Sequence, residues 1–208
     1  MHILNDNIEE YLSDITEVDD TVYREMEEYG NSNDFPIVGH VVGRLLMLLA
    51  KSIHAKRILE LGSGFGYSAV WFLRGIPNDG EIICTDRSPE DITRGIAYFE
   101  RVKAGDRIQY MEGDALESME KTEGLFDIVF MDIDKKEYPK AFDLIMPRLR
   151  SGGLLIADNT LWSGKVTEGD PDETTMAVKV FNEMIFGKKE VISSIIPIRD
   201  GVSVSLKL

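Results

Sequence analysis

Apolar residues recur three or four positions apart along the first part of the chain, which is the spacing of one face of a helix. Before residue 30 they lie in an acidic background. The positions are Ile8, Tyr11, Leu12, Ile15, Val22, Met26 and Tyr29. Turn-forming residues follow at 30–36, and a further helix is predicted over 38–53.

From residue 57 onwards, short apolar runs alternate with amphipathic stretches. The predicted strands are 57–61, 81–85, 107–111, 126–131 and 153–157. The predicted helices are 68–74, 89–103, 116–119, 138–148 and 173–186. Regular alternation of strand and helix is typical of an α/β protein, in which a mostly parallel sheet carries helices on both faces.

The end of the chain breaks this alternation. Two strand-like runs, 191–198 and 202–206, flank the dipeptide Asp200-Gly201. Asp-Gly between two such runs is a strong hairpin signal. We therefore expect the sheet to have seven strands and to end in an antiparallel hairpin strand.

The composition is that of a folded protein, since 43% of the 208 residues are hydrophobic and that length suits one domain. The single cysteine, Cys84, excludes an intramolecular disulfide and a Cys-rich zinc site. The net charge of −14 disfavours a broad nucleic-acid or anionic-lipid surface. We expect a soluble, cytoplasmic protein, because no targeting signal is visible and the longest apolar run falls short of the roughly 20 residues that span a bilayer.

A glycine-rich turn, residues 60–68, follows the first predicted strand. Glycines there let a ligand approach the backbone at the carboxyl end of the sheet. The dinucleotide fingerprint would require glycine at Tyr67, and no Gly-Lys-Ser/Thr follows as in a P-loop. The chain instead has Glu60 followed by glycine at every second position, Gly62, Gly64 and Gly66.

Two aspartates end the next strands. Asp86 lies 24 residues after Gly62, where an acidic residue suits ribose hydroxyls. Asp114 follows the third strand and either reads an adenine edge or caps a helix N-terminus. A tight turn without a ligand is the alternative for the glycines, and the two aspartates at successive strand ends favour the ligand.

Oxygen ligands follow the fourth and fifth strands. Asp132 comes after one, and Asp158 and Asn159 come after the other. If these strands are neighbours, two carboxylates and one amide meet at one edge, a set that suits Mg²⁺. The alternatives are that the aspartates only cap turns, or that Asp134 takes the place of Asp132.

Lys135 lies three residues beyond Asp132. A lysine beside a metal-bound hydroxyl can take its proton, so Lys135 is a candidate base. A solvated surface lysine is the alternative, and spacing alone favours it because Lys136 and Lys140 are close by.

Taken together, these motifs resemble the metal- and S-adenosylmethionine-dependent O-methyltransferases typified by catechol and caffeoyl-coenzyme A O-methyltransferases. The resemblance extends from Phe35 to the C-terminus and implies the Rossmann-like methyltransferase fold. It implies that the cofactor is bound by Val38, Glu60, Gly62, Gly64, Tyr67, Ser68, Asp86, Asp114, Ala115 and Asp132. It also implies Asp132, Asp158 and Asn159 as metal ligands, and Lys135, with Asp132, as the catalytic pair.

The resemblance further implies one methyltransferase domain over 1–208, in which 1–34 form a helical segment for substrate contacts or dimerisation and 35–208 form the catalytic core. We expect a homodimer that methylates a hydroxyl of a metal-chelated vicinal dioxygen on a phenolic, catechol-like molecule. The alternatives are 5-hydroxyuridine in tRNA, a nicotinamide-dependent reductase, and a non-catalytic cofactor-binding module. Trp162 either walls an aromatic substrate or packs under the following loop.

Overall fold

The computed structural model describes residues 6–208, so the first five residues of the predicted N-terminal segment lie outside the described part. Three helices precede the sheet: α1 (Asp6–Ile15), α2 (Thr21–Ser32) and α3 (Gly39–Ser52). The Asp20 carboxylate caps α2 by accepting the Val22 N–H at 2.8 Å. The helix continues three residues, 30–32, into the stretch predicted as a turn, so that boundary was wrong.

Seven strands form one sheet, as predicted. They are β1 (Arg57–Leu61), β2 (Glu81–Asp86), β3 (Ile108–Glu112), β4 (Phe126–Met131), β5 (Leu149–Ala157), β6 (Val191–Ile196) and β7 (Val202–Lys207). Their spatial order is β3-β2-β1-β4-β5-β7-β6. The first five are parallel, and β7 runs antiparallel to both of its neighbours. The hairpin prediction is confirmed.

Five further helices follow the strands. They are α4 (Tyr67–Gly75), α5 (Pro89–Arg101), α6 (Ala115–Lys121), α7 (Tyr138–Ile145) and α8 (Glu173–Gly187). Side chains alternate across the sheet, so Ile58 joins one buried apolar cluster and Leu59 the other. The first cluster includes Trp71 of α4, and the second includes Phe181 of α8. Helices therefore cover both faces, as predicted.

The strand order determines where the predicted site residues lie in the sheet. From β1 the chain continues to β2 on one side, whereas β4 pairs on the other. Ligands in such sheets bind outside the carboxyl ends of the strands at this reversal. The turns after β1, β2, β4 and β5 all lie there. No helix in residues 6–208 is long and apolar enough to cross a membrane.

Candidate active site

A cavity of about 590 Å³ opens at the carboxyl edge of the sheet. Its walls include most of the predicted site residues: Val38, Gly62, Gly64, Tyr67, Ser68, Asp86, Asp132, Lys135, Asp158 and Asn159. A second cavity of about 250 Å³ contains Asp114 and Ala115 and shares Gly62 and Asp86 with the first. The fold thus brings together residues that lie up to 121 positions apart, from Val38 to Asn159.

Hydrogen bonds hold the glycine loop against the end of β2. The Gly62 N–H donates to Thr85 Oγ1 at 3.2 Å, and the Gly64 N–H donates to Asp86 Oδ2 at 2.7 Å. Gly62 has a φ of 81°, in the left-handed region that favours glycine. A Cβ there would clash with the carbonyl oxygen of Asp132. The loop therefore packs directly on the turn that carries Asp132.

Asp86 and Asp114 lie at adjoining strand ends. Asp86 Oδ1 accepts the Ser88 N–H at 2.8 Å, which fixes the carboxylate at the cavity edge. Asp114 accepts the N–H groups of Leu116 and Glu117, both at 3.0 Å, so it is the helix cap that was one alternative. The Glu117 N–H and the Arg87 guanidinium hold the pKa of Asp114 below its ordinary value. Asp114 also lines the smaller cavity, so the cap and the predicted adenine contact are compatible.

Glu60 lies beneath the cavity wall and is fully buried. Its carboxyl group accepts a hydrogen bond from the Ser68 hydroxyl and faces the Cys84 thiol at 3.6 Å. Burial raises the pKa of Glu60 to about 8. The side chain does not line either cavity, so its place in the site is to hold Ser68.

The two predicted carboxylates meet because β4 and β5 are neighbours. Asp158 is 6% exposed, and burial together with the charge of Asp132 raises its pKa. Lys135 is 8% exposed, and its Nζ donates to Asp132 Oδ1 at 2.6 Å. The solvated-lysine alternative was therefore wrong.

The donor set fits a hard divalent cation. Two close carboxylates in a site of low polarity are costly unless a positive charge offsets them. Carboxylate and amide oxygens are the ligands that Mg²⁺ prefers. Asn159 has a φ of 55°, a left-handed conformation that is uncommon for a side chain other than glycine. Residues 6–208 contain no group of three or more His, Cys, Asp or Glu side chains that could hold a metal. The Asn159 amide lines the same cavity as Asp132 and Asp158 and is a candidate for a third oxygen ligand.

Asp134 is the competitor ligand that the sequence left open. Its carboxylate accepts the Lys136 N–H at 3.0 Å and caps the short 3₁₀ turn at Lys135–Glu137. It also lines both cavities. The cap commits one Asp134 oxygen to the backbone, whereas Asp132 faces the buried Asp158 and Lys135. This arrangement favours Asp132 as the ligand.

The structure reveals a supporting residue without an assigned role in the sequence analysis. Tyr138 is fully buried, and its hydroxyl donates to the Asp158 carbonyl oxygen at 2.9 Å. The Lys135 Nζ lies 5.3 Å from the centre of its ring. Tyr138 therefore links the segment after β4 to the turn after β5 by its hydrogen bond to Asp158, and its ring packs against Lys135. Its position three residues after Lys135 is the only sequence signal for this role.

The outer wall of the larger cavity comes from three separate segments. Trp162 lines it, and the indole Nε1 is buried without a hydrogen-bond partner in the part of the chain that the structure describes. Arg199 lines it too and donates from Nη1 to the Ile37 carbonyl oxygen at 2.7 Å. Neither Ile37 nor Arg199 lies in a motif, so sequence reasoning missed both. The wall of the cavity is therefore partly aromatic and partly cationic.

Comparison with known proteins assigns the chain to one family of enzymes. Residues 15–208 match the family model described as O-methyltransferase. The chain therefore belongs to the O-methyltransferase family, as the resemblance implied.

Among its relatives, a caffeoyl-CoA O-methyltransferase 1 from Zea mays is 32% identical over 77% of this chain and 67% of the relative. A catechol O-methyltransferase from Niastella koreensis is 31% identical over 74% of this chain and 72% of the relative. An O-methyltransferase structure from Bacillus cereus in complex with SAH has a TM-score of 0.88 at 25% identity and covers 97% of both chains. TomG from Streptomyces achromogenes, an O-methyltransferase in complex with SAM, has a TM-score of 0.87 at 27% identity and covers 97% of this chain and 96% of its own.

Proposed function

We propose that this chain transfers a methyl group from S-adenosylmethionine to one hydroxyl of a vicinal dioxygen group on a small phenolic molecule. The observation that carries the proposal is the meeting of Lys135, Asp132, Asp158 and Asn159 in the cavity that the glycine loop lines. A cofactor loop alone suits many reactions. A buried lysine beside two carboxylates and an amide suits a reaction that activates a hydroxyl.

Two adjoining cavities beside the glycine loop support the cofactor assignment, as do the SAM and SAH complexes of similar structures. Asp86 stands where the ribose hydroxyls would be bound, and Ala115 lines the smaller cavity on the adenine side. The exposed backbone of Gly62, with Ser68 and Tyr67, would bind the methionine end. Asp114 would both cap α6 and border the adenine.

Asp132, Asp158 and Asn159 would hold a divalent cation, for which Mg²⁺ is the preferred candidate by ligand type. Bound there, such an ion lowers the pKa of a coordinated hydroxyl and orients both oxygens of a vicinal pair. Tyr138 fixes the Asp158 backbone through its hydroxyl.

In its neutral amine form, Lys135 Nζ would accept the proton of the attacking hydroxyl and become the ammonium that pairs with Asp132. The oxygen then forms a bond to the methyl carbon while the carbon–sulfur bond of the sulfonium breaks, and its electron pair stays on sulfur. The sulfonium becomes a neutral thioether, and no covalent enzyme intermediate is required. Most of the rate would come from holding donor and acceptor in line. Trp162, on the outer wall, would contact the aromatic ring of the acceptor.

The test is methyl transfer from labelled S-adenosylmethionine to catechol, with Mg²⁺ and with EDTA. Resorcinol, the 1,3-dihydroxy isomer, is the matched control because its oxygens cannot chelate one ion. We expect product from catechol with Mg²⁺ and little from the other combinations. Equal product with EDTA would contradict the metal assignment, and equal product from resorcinol would contradict chelation. If the cofactor binds and neither phenol reacts, a larger acceptor such as tRNA 5-hydroxyuridine replaces the small phenol.

A further inference from the structure

Phe35 belongs to the segment between α2 and α3, and its ring lies against the glycine loop. A Cβ placed on Gly64 would stand 2.8 Å from both Cε1 and Cζ of that ring. This distance is shorter than real Cβ contacts, so a side chain at position 64 would have to displace the ring at position 35. The ring therefore occupies the space that a larger residue at position 64 would need. Phe35 also lines the larger cavity.

Both partners of this contact are held in place. The Phe35 N–H donates to the Gly30 carbonyl oxygen at 2.9 Å, and its ring meets Phe65 edge-on with centroids 5.0 Å apart. The Gly64 carbonyl oxygen accepts from the Tyr110 hydroxyl at 2.9 Å, and its N–H binds Asp86. The ring is thus a fixed wall of the cavity and has little freedom to move.

The position of this wall along the cavity suggests what it contacts. The ribose end of the proposed cofactor belongs at Asp86, and the acceptor oxygen belongs beside Lys135 and Asp158. The sulfur that carries the methyl group belongs between these two ends, and Phe35, Val38 and Gly64 line the same cavity as Asp86, Lys135 and Asp158. Aromatic rings attract cations that lie close to them. The sulfonium of S-adenosylmethionine is a cation, and the sulfur of its product, S-adenosylhomocysteine, is neutral.

We propose that Phe35 is a specificity residue that favours the sulfonium cofactor over the thioether product. The proposal rests on the cofactor assignment above but is independent of the acceptor and of the metal. A wall that recognises the charge binds the cofactor before reaction and loses part of its attraction once the methyl group has left. Phe35 would therefore weaken product inhibition as well as strengthen cofactor binding.

The test is calorimetric titration of the full chain with S-adenosylmethionine and, separately, with S-adenosylhomocysteine, without acceptor. Phe35→Leu keeps an apolar side chain of similar reach and removes the ring. We expect it to weaken the binding of S-adenosylmethionine more than that of the product, so that the ratio of the two Kd values shifts by roughly three- to tenfold. Phe35→Tyr retains a ring and should retain the wild-type ratio.

Tyr29→Leu is the matched control, because Tyr29 packs edge-on against Phe65 at 5.2 Å but does not line the cavity. It should leave the ratio unchanged. If Phe35→Leu raises both Kd values by one factor, or changes neither, the ring has only a packing role and the proposal is overturned. Wild-type chain that binds neither compound would overturn the cofactor assignment too. Cofactor binding without methyl transfer to catechol would contradict only the proposed acceptor.

Discussion

The Lys135 ammonium lies 2.6 Å from the Asp132 carboxylate, and both groups face the cavity that contains the buried Asp158. Lys135 is 8% exposed, so this ion pair is shielded from water far more than a surface pair. The lysine directly offsets the charge of Asp132, whereas the buried Asp158 has no ion-pair partner among the described residues and feels Lys135 and Arg199 only as nearby charges. Removing the lysine should therefore affect turnover, whereas removing Asp158 should affect metal binding and stability.

Replacing Lys135 with alanine removes the proposed proton acceptor. We expect turnover of a catechol to fall by about 100-fold or more, because a positioned base commonly contributes that much. Cofactor affinity should stay near the wild-type value, since the glycine loop and Asp86 are untouched. Lys135→Arg, which retains the positive charge but does not accept a proton at neutral pH, should also be inactive. Labelled methyl transfer and calorimetry measure the two effects, and wild-type turnover in either variant would remove Lys135 from the mechanism.

Replacing Asp158 with asparagine separates metal binding from folding. The wild-type protein should gain thermal stability when Mg²⁺ is added, because a ligand that binds only the folded state stabilises it. Asp158→Asn should lose most of that gain. Without metal, the variant should be at least as stable as the wild type near neutral pH, because a carboxyl that burial disfavours in its charged form has been removed.

Asp143→Asn on the exposed side of α7 is the control for Asp158→Asn. It changes the formal charge by the same amount and should leave the Mg²⁺-dependent rise in Tm intact. A full rise in the Asp158→Asn protein would show that the cation binds elsewhere.

The sheet was predictable because its signals are local. Short apolar runs between amphipathic stretches predict β1 and β4 with their observed bounds. The dipeptide Asp200-Gly201 predicts the terminal hairpin. The start of β5 at Leu149 was missed, because Gly152 and Gly153 interrupt the apolar pattern before residue 154.

The acidic residues of the site were predictable because they lie at strand ends. Asp86 is the last residue of β2, Asp132 and Asp158 directly follow β4 and β5, and the parallel sheet brings them to one edge. Phe35 and Arg199 reach the same cavity from segments outside the parallel strands. Their sequence context predicts a turn and a hairpin, and it does not predict a place in the site. The sequence analysis placed Glu60 among the cofactor-binding residues, but its side chain is buried and lines neither cavity. The pattern of the glycine loop does not show to which face of the sheet the Glu60 side chain points.

Glu60 should impose a pH dependence on stability. Its folded-state pKa of about 8 lies above its ordinary value of 4.5, so the unfolded chain loses this proton at lower pH than the folded chain. The contribution of Glu60 to stability is therefore fully present below about pH 4.5 and is lost as the pH rises through about 8. Glu60→Gln does not ionise and escapes this loss. The unfolding free energy of the variant minus that of the wild type should rise by several kcal/mol between pH 5 and pH 8.

Denaturant unfolding at closely spaced pH values measures that difference. Glu28→Gln, at an exposed position of α2, is the control, and its difference from the wild type should stay nearly constant. A constant difference for Glu60→Gln as well would mean that the Glu60 carboxyl is charged in the folded protein across this range.

Replacing Gly62 with alanine tests whether the contact between the glycine loop and Asp132 positions the Asp132 carboxylate. The residue has a φ of 81°, and a Cβ would clash with the Asp132 carbonyl oxygen. Gly105→Ala is the matched control: its φ is 59°, and a Cβ there meets no atom within 4 Å. The control should lose about 1–2 kcal/mol of unfolding free energy through backbone strain alone.

Gly62→Ala carries a similar strain and must also displace the backbone of Asp132, so it should lose about 1–3 kcal/mol more than the control. The displacement moves a proposed metal ligand, so catechol turnover should fall in Gly62→Ala and be unchanged in Gly105→Ala. Denaturant unfolding and labelled methyl transfer measure both effects. Equal losses of stability, with turnover retained in both variants, would mean that the glycine loop accommodates the extra methyl group without cost. The Gly62–Asp132 contact would then not position the Asp132 carboxylate.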